Sequence, residues 1–270
     1  MQDTFKVLPN GSKPGSLTIA ILSFNEASII HDSLKSAAFA DQLLLIDSGS
    51  TDATVDIARA HSAEVHTYLD WQGFATQKNR ALQHCVCEYV FFLDCDEIIP
   101  PQLATEIRAV VEQGSVNLGL IRWEDYVFGK RLRGIHQTKG VARLFKISDI
   151  KFFSGKVHES AALRCEPNRL LMGTPLIHHS RRSIHQSLLK LAQYSQLAAI
   201  EIRDSRVKSG ILTGTAHALS RFINLYFIKL SLLSGAEGFL YSLLISLEVF
   251  FKYCAARFDH GVEANRPARR

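Results

Sequence analysis

The chain predicts an α/β fold built on a mostly parallel sheet with helices on both faces, followed by a helical C-terminal extension. Three observations carry that expectation. Strand-like and helix-like segments alternate from Leu17 to Gly114, and the run Tyr89-Val-Phe-Phe-Leu93 is apolar with no polar alternation. From Ser183 onward, apolar residues recur at helical spacing.

The elements follow in order. Residues 1–16, containing Pro9-Asn-Gly-Ser-Lys-Pro-Gly15, read as a loose arm. Leu17–Leu22 is a strand, Ser23-Phe-Asn-Glu26 turns into a helix carrying Ile29, Ile30 and Leu34, and Gln42–Ile46 is the next strand. Asp47-Ser-Gly-Ser-Thr-Asp52 is rich in N-cap residues and leads into a helix with Val55, Ile57 and Ala58. A short strand at Val65–Tyr68 and a helix over Gln77–Cys85 precede the apolar strand at Tyr89, and Pro100-Pro101 starts another helix. After Gly114, the strands Leu118–Trp123 and Val141–Lys146 flank a basic loop, Gly129-Lys-Arg-Leu-Arg133. The expected domains are therefore 17–180, divided near 114, and a helical region 181–270.

Composition narrows the function classes. A chain of 270 residues with 47% hydrophobic content can bury one substantial core, which excludes a disordered chain. The net charge of +5 is interspersed with acids, so nucleic acid is not an expected partner. Cys85, Cys87, Cys95, Cys165 and Cys254 form no Cys-x-x-Cys pair, which points to a reducing compartment. The N-terminus lacks a basic-then-apolar secretory pattern, so a cytoplasmic location is expected. Phe222–Phe258 is very apolar, but its longest uninterrupted part, Gly238–Leu247, is short of the roughly 20 residues that span a bilayer. Its aromatic residues and flanking cations fit either an interfacial helix or ordinary packing against the rest of the chain or a second subunit.

The chemistry concentrates at three strand ends that a parallel sheet would bring together: Ser23–Glu26, Asp47–Asp52 and Asp94-Cys-Asp-Glu97. Crowded carboxylates at a strand end fit a divalent cation holding a diphosphate, or else a solvated turn that caps the next helix. No Gly-x-Gly-x-x-Gly and no phosphate-loop lysine motif is present, so the usual dinucleotide and P-loop readings lack their glycines.

Ser23-Phe-Asn-Glu26, Asp47-Ser-Gly-Ser-Thr-Asp52, Trp71–Arg80, Asp94-Cys-Asp-Glu97, Arg143-Leu-Phe145 and Val157-His-Glu159 together resemble the inverting family-2 glycosyltransferases of the Rossmann-like GT-A fold. Within these, the chain is similar to the bacterial lipopolysaccharide inner-core β-1,4-glucosyltransferase group, from about residue 17 to 255. Cys95 departs from a usual small residue, and Lys78 from a usual arginine.

The resemblance implies transfer of a hexose, with UDP-glucose as the expected donor, to a lipopolysaccharide inner-core or related surface-glycan acceptor; for an anionic glycolipid of this kind, the basic groups and the apolar tail suggest peripheral attachment at the cytoplasmic face of the inner membrane. It implies that Ser23, Asn25, Glu26, Asp47, Gly49, Gln77, Lys78, Arg80 and Asp94 bind the nucleotide sugar. Asp96, with His178, would ligate Mg²⁺ or Mn²⁺, and Glu159 or Asp125 would be the base, while Glu97 would cap a helix. Lys130, Arg131, Arg133, Lys139, Arg181 and Arg182 would steer the anionic acceptor. The competing readings are a non-catalytic nucleotide-sugar-binding protein and a metal-dependent nucleotidyltransferase.

Overall fold

The computed structural model describes residues 13–134, 139–155, 160–205 and 207–259. The elements are β1 (Leu17–Ser23), α1 (Ile30–Ser36), β2 (Gln42–Asp47), α2 (Thr54–Ala60), β3 (Glu64–Thr67), α3 (Phe74–His84), β4 (Tyr89–Asp94), β5 (Glu97–Ile98), α4 (Pro101–Gln113) and β6 (Leu118–Ile121). They continue as β7 (Trp123–Val127), β8 (Lys130–Arg131), β9 (Val141–Lys146), β10 (Ile150–Ser154), β11 (Ser160–Leu163), β12 (Arg169–Leu171), β13 (Leu176–Arg181), α5 (Ile184–Asp204), α6 (Ile211–Ile223) and α7 (Gly235–Phe258). Two compact units result: the chain up to Trp123 with Thr138–His178, and Glu124–Gln137 with His179 onward.

The first unit is organised by a seven-stranded sheet of order β12-β6-β9-β4-β1-β2-β3. β1 to β4 run parallel, and β9 enters antiparallel between β4 and β6. The central strands are apolar throughout because both of their faces are covered. Leu17, Ile19 and Ile21 of β1 and Tyr89, Phe91 and Leu93 of β4 pack in one cluster with α1 and α4, through Leu34, Leu103 and Ile107. The alternate residues Ala20, Leu44, Ile46, Val90 and Phe92 enter the opposite cluster with Ala75 and Ala81 of α3. This is the period-2 alternation of strand side chains expressed with two buried faces. The Tyr89 hydroxyl, buried in the first cluster, donates to the Val116 carbonyl at 2.9 Å. α4 begins with Pro101 in its first turn and ends on Gly114, whose φ of 66° is the left-handed cap that favours glycine.

The chain steps from β1 to β2 to β3 in one direction, then returns to place β4 on the other side of β1. Such a reversal opens a crevice at the carboxyl ends of the strands. Register aligns the ends: Ser23 lies beside Asp47, and Leu22 beside Asp94. At the same end, β13 pairs antiparallel with β5 through His178 opposite Glu97.

The second unit is built on α5, α6 and α7, with the β7–β8 hairpin pairing Tyr126 to Arg131 and Val127 to Lys130. A boundary at 180 would leave Glu124–Gln137 with the sheet. Instead Arg133 N donates to Ser234 Oγ at 2.7 Å, and Lys130 meets Glu237 at 3.0 Å. α5 starts at the expected place because Ser183 caps it, its hydroxyl accepting from Gln186 N. Near the start of α7, a Cβ on Gly238 would stand 1.9 Å from the Ser231 carbonyl oxygen, so only glycine permits that approach. Ser231–Phe258 is long and apolar enough to cross a bilayer by length and composition, although the uninterrupted run Gly238–Leu247 is not. Large apolar side chains on this unit remain exposed, among them Leu189, Leu212, Leu219, Phe227, Ile228 and Phe258.

Phe91 is fully buried in the centre of β4, so Phe91→Ala removes a ring from a site with little room to collapse. The expected loss is about 3–5 kcal/mol, read as a lower urea midpoint at unchanged slope.

Candidate active site

The first two strand-end loops are stitched together before any ligand is considered. Asp47 is buried, and its carboxylate accepts from Ser23 Oγ (3.2 Å), Gly49 N (2.8 Å), Ser50 N (2.9 Å) and Ser50 Oγ. Each oxygen takes two donors, which fills the lone-pair sites of a carboxylate. Gly49 has φ of +93°, and a Cβ there would meet Leu69 Cδ2 at 2.8 Å. Glycine is thus needed for the turn, and its N–H is one of the donors to Asp47.

Across the loops, Asn25 N donates to Ser50 Oγ at 2.9 Å, and Thr51 N donates to Asn25 Oδ1 at 2.8 Å. Glu26 N donates to Thr54 Oγ1 at 2.8 Å, while Asp52 accepts from Ala27 N and Thr54 N. Burial opposes ionisation of Asp52, but the Thr54 hydroxyl bond, with these two backbone bonds, holds its carboxyl below its ordinary value.

α3 approaches from the other side. Gln77 is fully buried and donates from Nε2 to Ser48 Oγ at 2.8 Å, which fixes the second loop against the helix. Lys78 is also buried, with Nζ over the Phe92 ring at 5.1 Å and the Phe153 ring at 5.5 Å. Arg80 pairs with Asp70 at 2.7 Å, stacks over Tyr68 at 4.4 Å and donates from Nη1 to Gln77 Oε1 at 3.1 Å.

The third loop surrounds a buried cation. Arg143 of β9 is buried and directs Nη2 to Asp94 Oδ2 at 2.6 Å and to Glu97 Oε1. Glu97 is fully buried as well, accepting from Asp94 N at 2.9 Å and from Trp123 Nε1 at 2.7 Å. Burial pushes the Glu97 carboxyl up to about 7, with Arg143 pulling the other way and Asp94 adding to the rise. Packing around Asp94 opposes its ionisation, but the Arg143 and Lys78 charges outweigh this and hold it below the ordinary carboxylate value. Asp96 Oδ1 lies 3.8 Å from His178 Nε2, and the His178 ring packs on Trp123 at 4.9 Å.

A crevice at a strand reversal, edged by backbone N–H groups, one buried lysine and a carboxylate–imidazole pair, suits an anionic ligand carrying a cation. Residues 18–170, more than half of the chain, match the family described as Glycosyl transferase family 2. The chain belongs to glycosyltransferase family 2. Over 266 residues this glycosyltransferase is 24% identical to an uncharacterised glycosyltransferase of Rickettsia conorii, with 92% of each chain covered. It is also 24% identical to the lipopolysaccharide core biosynthesis glycosyltransferase LpsC of Rhizobium meliloti, over 92% of this chain and 94% of LpsC. Among solved structures, S. aureus TarS 1-349 in complex with UDP-GlcNAc aligns over 69% of this chain and 66% of its own, at 16% identity and a TM-score of 0.48. The glycosyltransferase has the GT-A arrangement, a mixed α/β core with a mostly parallel central sheet, plus C-terminal helices.

The side chains expected at the site have the following surroundings in the glycosyltransferase. Asp47 spends its carboxylate on the loop, both oxygens being engaged by Ser23, Gly49 and Ser50. Arg80 is engaged by Asp70 and Tyr68, which leaves Lys78 as the α3 cation beside Asp94. Glu97 does not cap α4; it is a buried partner of Arg143 in a short strand. Of the cations expected to steer an acceptor, Lys130 pairs with Glu237, Arg131 with Glu124 at 2.7 Å, and buried Arg181 with Glu248 at 3.2 Å. Asp125 belongs to the second unit, where its charge adds to the burial that keeps the Tyr241 phenol neutral, up to about 12. Glu159 and His158 lie outside the described residues. Arg143 and Trp123 were not expected as site residues; the one signal was Arg143's position within a family motif, since a basic residue in a strand of modest length carries no sign of its partners.

Replacing Arg143 by methionine leaves Asp94 and Glu97 facing each other without their cation. Arg143→Met is expected to lose about 3–5 kcal/mol of stability in urea unfolding. Adding Glu97→Gln restores part of the loss, with a coupling of about 0.5–3 kcal/mol between the two sites.

Proposed function

We propose that this glycosyltransferase moves a hexose from a UDP-sugar, with UDP-glucose as the donor, to a lipopolysaccharide-core or related surface-glycan acceptor, inverting the anomeric centre. The observation that carries the reading is the alignment of Ser23, Asp47 and Asp94 at one strand reversal, with Lys78, Asp96 and His178 around it. The similarity to LpsC supports the choice of acceptor class. Family membership favours glycosyl transfer over nucleotidyl transfer.

In this reading, the uracil lies against the Ser23–Glu26 and Asp47–Asp52 loops, whose backbone shape Asp47 and Gly49 maintain. Asp94, oriented by Arg143, meets the ribose. Lys78 supplies a point charge to the diphosphate, a role that suits an ammonium without a planar fork. Asp96 and His178 would hold the divalent cation, since a carboxylate and an imidazole already stand within reach of one ion. The imidazole favours Mn²⁺ over Mg²⁺. When bound, the ion offsets the negative charge of the UDP leaving group.

Inversion requires one in-line displacement. Glu159 takes the proton of the acceptor hydroxyl; the oxygen forms its bond to the anomeric carbon as the bond to the β-phosphate oxygen breaks, and UDP departs with that electron pair. Asp125 is the alternative base. The exposed apolar side chains of the helical unit support peripheral contact with the inner-membrane surface, where such an acceptor is met.

A donor screen over UDP-, GDP- and dTDP-sugars, with and without Mn²⁺, is expected to give acceptor-dependent UDP release from UDP-glucose. Turnover with a GDP- or dTDP-sugar alone would reassign the donor. Glu159→Gln is expected to lose about a hundred- to ten-thousandfold in kcat with donor affinity retained; unchanged turnover transfers the role to Asp125. Asp96→Asn should raise the Mn²⁺ concentration needed for half-maximal turnover, and an unaltered metal titration would remove Asp96 from the ion.

A further inference from the structure

The edge strand β3 carries a second group of ligand-type side chains that the transfer reaction does not use. Glu64 and His66 share one face of β3, being two residues apart, and His84 closes the end of α3. One ligand atom from each of these residues lies within 4.8 Å of the others. His66 Nε2 is 2.7 Å from Glu64 Oε1, and the His66 and His84 rings stack with centroids 3.4 Å apart.

A second, independent observation is how the outer atoms are held. Gln42 Nε2 donates to Glu64 Oε2 at 2.8 Å, leaving the Oε1 oxygen turned to His66. Tyr68 Oη lies 2.8 Å from His84 Nε2, which sets that ring's orientation and leaves Nδ1 for a further bond. Outer groups that orient imidazole and carboxylate ligands are a recurrent part of metal sites.

We propose that Glu64, His66 and His84 form a transition-metal site, best suited to Zn²⁺, separate from the cation at the donor site. Two imidazoles and one carboxylate are a borderline-soft set, which selects Zn²⁺ over the hard Mg²⁺. Ligand bonds of about 2.0–2.2 Å place neighbouring donors about 3.3–3.5 Å apart, so side-chain rotation that splays the two stacked rings closes the site, with water as the fourth ligand. The ion would fasten edge strand β3 to the end of α3, the helix that brings Gln77 and Lys78 to the donor site.

The test uses the untagged full chain, stripped with chelator and titrated with Zn²⁺ against a chromophoric chelator in excess Mg²⁺. Wild type is expected to take up one more Zn²⁺ than the His66→Gln/His84→Gln double variant, to gain thermal stability from it, and to show Co²⁺ d–d bands that the double variant lacks. His31→Gln, which alters the exposed His31–His61 pair, should leave that uptake unchanged. Tyr68→Phe keeps every ligand and removes only the hydroxyl, so it should weaken Zn²⁺ about 10- to 100-fold while the metal-free fold is intact. Equal Zn²⁺ uptake and equal Co²⁺ spectra in wild type and the double variant would overturn the proposal, as would full affinity in Tyr68→Phe.

Discussion

Arg143 is the charge around which the site is arranged. A guanidinium buried in a sheet is tolerable only if carboxylates and hydrogen bonds surround it, because desolvating an ion costs several kcal/mol. Here β9 carries it in beside β4, where Asp94 and Glu97 receive it from either side of a tight turn. The turn is closed by Asp94 N donating to Glu97, and Trp123 donates to the other Glu97 oxygen. β5 and β13 then pair across Glu97 and His178, which delivers the imidazole to Asp96. An antiparallel strand inserted into an otherwise parallel sheet is thereby tied to the placement of the acidic loop.

The acidic residues of the three loops divide into separate tasks. Asp47 and Asp52 bind backbone N–H groups and hold the loops in shape. Glu97 neutralises Arg143 from a fully buried position, while Asp94 shares that arginine and keeps half of its side chain exposed. Asp96 stands with His178. Several of these carboxylates are therefore engaged by the protein's own backbone and guanidinium.

The helical unit follows a different logic. Three ion pairs lie within it: Lys130 with Glu237, Arg131 with Glu124, and Arg181 with Glu248. Burial raises the Glu248 carboxyl, and Arg181 acts against that rise. Close approach of the Ser231–Ser234 turn to α7 depends on small residues, with Ser231 and Ser242 hydroxyls 2.7 Å apart and Gly238 against the Ser231 carbonyl. Lys130, Arg131 and Arg181, which look available for an acceptor in the sequence, are engaged, and apolar groups that look like core are exposed.

The sequence by itself determined the sheet and its loops. Apolar runs such as Leu17–Leu22 and Tyr89–Leu93 have one stable destination, a strand covered on both faces, and successive parallel strands must end on one side. The convergence of Ser23, Asp47 and Asp94 was legible for that reason, as was the family through its motifs. Tertiary structure alone decided which carboxylate does what. Asp94, Asp96 and Glu97 are adjacent and chemically alike, and their roles separate because Arg143, 46 residues beyond Glu97, is buried against two of them and His178 approaches the third. The same holds for Glu64, His66 and His84. A pairing between distant side chains depends on burial and register, and neither is written in the local pattern of residues.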